Sequence, residues 1–325
     1  MVVPSCKQDQ SAEKKPMRRG ICKNNHTVLK ERYDRNRCPY AEKIVADHVK
    51  ALFANDPIVV ANFIRKLFHD CLVNTRRRVM DKVQKSSKTN GELLQGVGYI
   101  DDIKVKLEAA CPLTVSCADI LSFAAMEAMT LLGGPRCPYL GGRRDGMVSL
   151  ASQVDIDRNI PLPEWTVDQI IQLSHKKGFS VEDMVVLSGG HSVGVAHSSV
   201  FKDRIVGYGG SPEPNVPNQL VTGLAMKRKP PGTTEARAYP TVSFEETPTV
   251  LDNMFFRNLV EQKKALLASD QNLLNDPRTS PYVHQFAGDE QLFKNKFADA
   301  LVRMSSLDVL IGKSGEIRRT CKLTN

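Results

Sequence analysis

From Cys38 onward, apolar residues recur at intervals of three and four, the period of a helix that buries one face. Ile44, Val45, Val49, Leu52 and Phe53 predict a first helix on this basis. Asp56-Pro57 supplies a cap and a first-turn proline for a second, running through Val60, Phe63, Ile64, Leu67 and Phe68. Ser116 with Asp119 reads as a capping box ahead of the apolar segment from Ala118 to Leu132, which Gly133-Gly134-Pro135 terminates. Thr166 with Gln169 repeats the device before Ile170, Ile171 and Leu173. Ser180 with Asp183 repeats it before Met184 to Leu187, closed by Gly189-Gly190. Two more helices are expected around Phe255–Leu267 and Leu292–Met304. Strand alternation is scarce, residues 207–250 look irregular, and no internal repeat is visible. Residues 1–36 carry no period and are expected to form a polar, basic, flexible tail. Residues 37–325 are expected to form a single, mainly α domain.

Composition is that of an ordinary globular chain, 41% hydrophobic and 25% charged. No apolar run is long enough to span a bilayer, so no membrane partner is expected. The net charge of +9 could favour an anionic polymer. Much of it lies in Lys14, Lys15, Arg18 and Arg19 and in the loop-like run Arg76, Arg77, Arg78, Lys82, Lys85 and Lys88, and no nucleic-acid motif accompanies these. Nucleic acid is therefore not expected as a partner. Eight cysteines with wide spacing suit disulfides in an oxidising compartment better than a zinc site, though composition leaves their pairing open. Residues 1–24 are polar and basic, so no signal peptide is visible.

Of the seven histidines, two stand out. His69 lies four residues after Arg65 on the second helix, so both project from one face of adjoining turns among Ile64, Leu67, Phe68 and Leu72. A buried arginine without a carboxylate is costly, which points to an anionic or strongly polarised ligand. Such a pair suits O–O cleavage: histidine accepts a proton from peroxide and returns it to the departing oxygen, while arginine stabilises the negative charge. On spacing alone, a structural histidine beside a snorkelling arginine is the commoner arrangement. His191 sits between Gly189-Gly190 and Gly194, where glycines let the backbone pass close to something flat and large. A satisfied core histidine explains it as well. Protease readings lack a nucleophile in a recognisable turn, and the glycine run lacks the spacing of a phosphate loop.

Four ordered segments carry a resemblance. Ile64-Arg65-Lys66-Leu67-Phe68-His69-Asp70-Cys71 resembles the distal helix of plant secretory (class III) haem peroxidases, and Val186-Leu187-Ser188-Gly189-Gly190-His191-Ser192-Val193-Gly194 resembles their proximal ligand motif. Val115-Ser116-Cys117-Ala118-Asp119-Ile120-Leu121 and Leu140-Gly141-Gly142-Arg143-Arg144-Asp145-Gly146 lie between them in the family's order. The resemblance covers roughly residues 30–325. It implies two helical lobes enclosing one haem b, reduction of hydrogen peroxide, and one-electron oxidation of small phenolic donors. By position, His191 is the implied iron ligand and Asp270 its carboxylate partner. Arg65 and His69 take the distal roles, Phe68 is a wall of the haem pocket, and Asn90 orients the distal histidine. Pro161 is where an aromatic donor meets the backbone. Cys38 with Cys111 and Cys117 with Cys321 are the implied disulfides. The resemblance also implies a monomer placed outside the cell or in a vacuole, in reach of anionic cell-wall polysaccharide.

Two calcium sites are implied as well, with departures at each. On the distal side Asp70 and the Val73 carbonyl match, but Arg77 stands where a second aspartate is expected; Arg76 or Arg77 is expected to pair with Asp70 in place of the ion. On the proximal side Ser192, Thr247 and Asp252 match, while Phe244 is read at the position of an expected aspartate. Cys6, Cys22, Cys71 and Cys137 have no partner implied by the resemblance. The alternative to an active peroxidase is a catalytically weakened or inactive homologue that binds haem or a polyanion.

Overall fold

The computed structural model describes residues 29–72, 97–147, 159–197, 200–201, 204, 241–262 and 264–325. The fold is mainly α. Its first four helices are α1 (Ala41–Asn55), α2 (Pro57–Leu72), α3 (Val97–Ala110) and α4 (Cys117–Leu131). Both α1 and α2 pack on α4, which is buried on every side. That burial follows from its sequence, which is apolar all round rather than along one stripe. Asp56 Oδ1 accepts from the Ile58 amide at 3.0 Å, so the cap expected before Pro57 forms and α2 starts there.

The later helices are α5 (Val167–Lys176), α6 (Val181–Ser188), α7 (Met254–Arg257), α8 (Ala268–Asn275), α9 (Ser280–Gly288) and α10 (Glu290–Ser305). Here α10 packs on α6 and α7 packs on α9. The two groups meet where α10 touches α2 and where the turn after His191 reaches α2: a Cβ built on Gly194, whose φ is +86°, would lie 3.4 Å from Ala61 Cβ. Two small antiparallel ladders complete the described fold. One joins β1 (Lys30–Glu31) to β2 (Leu140–Gly141), the other β3 (Val195–His197) to β4 (Thr241–Ser243).

Three local expectations are corrected. The domain begins before residue 37, because Leu29 is buried and Lys30–Glu31 pairs with the chain at Leu140–Gly141. Ser116 caps α4 through the Asp119 amide at 3.1 Å, yet the Asp119 side chain does not close the box. It turns instead to Arg143 Nη1 and the Gly142 amide, both at 2.8 Å. The boxes at Thr166 and Ser180 both close. The helix expected across Phe255–Leu267 stops early: α7 widens into a π turn at Asn258–Gln262 and ends.

Two of the four signature segments prove to be scaffold. Asp145 accepts from the Cys117 and Ala118 amides at 3.1 and 2.9 Å and from the Arg318 amide at 3.1 Å, tying the start of α4 to the C-terminal residues. Disulfides join Cys38 to Cys111 and Cys117 to Cys321, spanning 73 and 204 positions, so both expected pairings are present. Closing loops of that length stabilises by on the order of 4 kcal/mol each.

Candidate active site

His191 lies in a short 3₁₀ turn, Gly189–Ser192, that continues directly from α6. Its Nδ1 is 2.9 Å from Asp270 Oδ2 on the first turn of α8. The carboxylate is buried, and its acceptor role fixes the proton on Nδ1 and leaves the Nε2 lone pair available. The imidazole itself is 36% exposed, against 5% for the Asp270 side chain. Phe244 stacks flat on the ring at 4.2 Å and 11°, and Phe255 meets it edge-on at 6.2 Å. One hydrogen bond and two aromatic contacts therefore hold the half-exposed ring.

The glycines beside His191 have a different role from the one expected. A Cβ on Gly189 would lie 2.5 Å from Phe293 and 2.7 Å from Phe256, so this glycine makes room for core aromatics and not for a flat ligand. On Gly190 the nearest atom, in Phe297, would be 3.5 Å away, an ordinary contact.

On α2, Arg65 and His69 share one face, and Arg65 Nε lies 3.4 Å from His69 Nε2. In that geometry the guanidinium donates and the imidazole nitrogen accepts. No carboxylate among the described residues lies within ion-pair distance of Arg65. Burial pulls its guanidinium below the ordinary value, but an arginine so far above neutrality stays charged. Arg65 is half-buried, so its charge is partly desolvated and favours an anionic or strongly polarised ligand beside it. Phe68 is partly buried one position before His69, with ring centroids 5.9 Å apart.

The segment containing Pro161 touches both halves of the site. Ile160 packs against Phe68, and the Pro163 carbonyl accepts from the Ser269 amide, next to Asp270, at 2.9 Å. Pro161 is partly exposed between them. Asp70 is buried at the end of α2. Asn90, Val73, Arg76 and Arg77 lie outside the described residues.

Behind His191, oxygen atoms gather. Ser192 Oγ is 2.7 Å from the Asp252 carbonyl and 3.4 Å from the Val250 carbonyl. Thr247 Oγ1 lies 2.9 Å from Asp252 Oδ2 and 2.7 Å from Glu245 Oε2. Glu245, one position beyond the Phe244 read in place of the expected aspartate, brings a carboxylate to Thr247, while Phe244 stacks on His191. Glu245 Oε1 is buried and has no hydrogen-bond partner among the described residues. Burial foremost, with the Asp252 and Glu246 carboxylates, pushes Glu245 up to about 7 against the opposing hydrogen bonds from Thr247. The buried Glu245 carboxylate, the half-buried Asp252 carboxylate, two hydroxyls and the nearby carbonyls, with one oxygen unused, suit a hard cation such as calcium.

A family model described as "Peroxidase" matches residues 45–289. The chain is similar to Peroxidase 5 of Vitis vinifera, 37% identical over 300 residues covering 90% of each chain. It is similar to Peroxidase 28 of Arabidopsis thaliana, 38% identical over 305 residues covering 91% of this chain and 93% of the relative. To Peroxidase 44 of Arabidopsis thaliana it is 39% identical over 296 residues, covering 89% and 90%.

Proposed function

This chain belongs to the peroxidase family and is a plant-type haem peroxidase, and from that premise we propose how its residues divide the work. His191 holds the iron through Nε2. Asp270 accepts the Nδ1 proton and gives the imidazole anionic character, which raises its strength as a ligand. Haem held there by His191 would supply the redox-active iron needed for peroxide reduction and donor oxidation. His69 takes the proton from hydrogen peroxide and delivers it to the departing oxygen, while Arg65 supplies positive charge where negative charge develops. Phe68 shapes the pocket wall, and Asn90 orients His69.

Phenolic donors meet the chain at the Pro161 segment, whose neighbours Phe68 and Ser269 link it to both halves of the site. Calcium is held on the proximal side by Ser192, Glu245, Thr247, Asp252 and the Val250 carbonyl, steadying the turn that carries His191. Asp70 and Val73 are the remnant of a distal counterpart. No helix among the described residues is long and apolar enough to cross a membrane. The two disulfides suit an oxidising compartment, outside the cell or in a vacuole, where a monomer of net charge +9 can also meet anionic cell-wall polysaccharide.

The His191–Asp270 pair carries this reading, because a buried carboxylate behind an open imidazole is what a haem ligand requires. The test is reconstitution with haemin, followed by peroxide and guaiacol. A Soret band and guaiacol oxidation are expected, both lost in His191→Ala. A variant at 191 that binds pigment and turns over like the parent would overturn the assignment.

A further inference from the structure

A small cleft beside Asp270, walled in part by the rings that hold His191, contains one charged residue with no role assigned above, Lys264. Phe244 and Phe255 wall it, Ala265 and Leu266 line it, and Asp270 and Lys264 both face into it. Asp270 is 3% exposed, whereas Lys264 is an exposed residue. The backbone that presents Lys264 is fixed from two sides. The Lys264 amide donates to the Asn258 carbonyl at 3.4 Å across the π turn. The buried Arg204 guanidinium donates to the Ala265 and Leu266 carbonyls at 2.8 and 2.6 Å.

We propose that Lys264 is a positioning residue that tunes the proximal pair, its ammonium acting on the Asp270 carboxylate through this cleft. The inference rests on the reading of His191 as iron ligand and of Asp270 as its partner. No direct ion pair joins Lys264 to Asp270, so Asp270 keeps its hydrogen bond to His191 undivided. Aromatic and aliphatic side chains make up most of the lining that Lys264 and Asp270 share, and a field that passes partly through such low-dielectric walls is screened less than one through open water. The sign follows from charge alone. A cation near Asp270 weakens its pull on the Nδ1 proton, lowers the anionic character of the imidazole, and so raises the reduction potential of the iron it holds.

The experiment uses haem-loaded, full-length protein and reads the ferric–ferrous midpoint potential together with the iron–imidazole stretching frequency. Lys264→Met is expected to lower the potential and raise the frequency. Lys264→Glu carries both further, and Lys264→Arg leaves both in place. Reversing an exposed lysine elsewhere, Lys313→Glu, is expected to shift neither. In an Asp270→Asn background the effect of Lys264→Glu is expected to shrink toward zero. A potential that stays flat across the Lys264 series overturns the proposal, as does a shift that persists in full without the Asp270 charge. Failure of the underlying reading is separate: His191→Ala would then retain the parent ligand signature, whatever the Lys264 series does.

Discussion

His191 and Asp270, 79 positions apart, meet at 2.9 Å between Nδ1 and Oδ2, with the carboxylate buried and the imidazole open. Asp270 reaches that place because α8 begins just before it and the Ser269 amide is tied to the Pro163 carbonyl. The bond sets the tautomer, the ring plane and the electron density of the ligand at once. Asp270→Asn keeps the shape and removes the charge. Its haem complex is expected to lose roughly 10–100-fold in turnover or in affinity, the usual cost of losing a ligand's hydrogen-bonding partner. Stopped-flow reaction with peroxide and haemin titration separate the two losses. Parent-like values in both would mean that Asp270 is only structural.

The distal pair answers to a different measurement. His69→Leu removes the proton acceptor and is expected to slow the reaction with peroxide by about 10²–10⁴-fold, the range of general acid–base catalysis. Arg65→Leu is expected to slow it by a similar order, through loss of charge stabilisation. Both act on one bond-breaking event, so the double variant falls well short of the product of the two. Full multiplicativity in single-turnover rates would show that the two residues act independently.

That Arg65 and His69 share one helix face was legible because the information is local, though their role came from the resemblance. Arg65 and His69 sit four apart on a helix whose apolar period fixes its face, and the cap at Asp56 fixes its start. The proximal side was legible only through resemblance, since His191, Asp270 and Phe244 come from three separate stretches of chain. Phe244 and Glu245 show why. No periodicity sets the register in that irregular stretch, and a slip of one residue exchanged an aromatic that stacks on imidazole for a carboxylate that faces Asp252. The π turn at Asn258–Gln262 was equally hidden. Phe255 and Phe256 read as helical, but their rings are claimed by His191, Phe286 and Phe293, and the backbone yields to that packing.

The cation cluster couples metal to protons. Without a cation, burial and the Asp252 charge hold Glu245 near 7, so below that pH it carries a proton that calcium must displace. Calcium affinity is therefore expected to rise with pH through about 7, with proton release on binding that fades above it. Calorimetry in buffers of different ionisation enthalpy at pH 6 and 8 measures both. Glu245→Gln is expected to weaken binding and flatten the pH dependence. Unchanged affinity in that variant would remove Glu245 from the ligand set.

Gly189 tests whether the turn bearing His191 is held by packing or by its ligand. The Cβ of an alanine there would fall 2.5 Å from Phe293 and 2.7 Å from Phe256, closer than such atoms approach. Both rings belong to an aromatic cluster with Phe286 and Phe297, so neither can swing away freely. Gly189→Ala is expected to destabilise the haem-free protein by about 1–3 kcal/mol, the usual cost of overpacking a core. Phe293→Leu should recover part of that loss by opening space against the new methyl group. Had the glycine been there to admit a flat ligand, the substitution would spare the haem-free protein and weaken only haem uptake. Denaturant unfolding of the apoprotein beside haemin titration separates these outcomes.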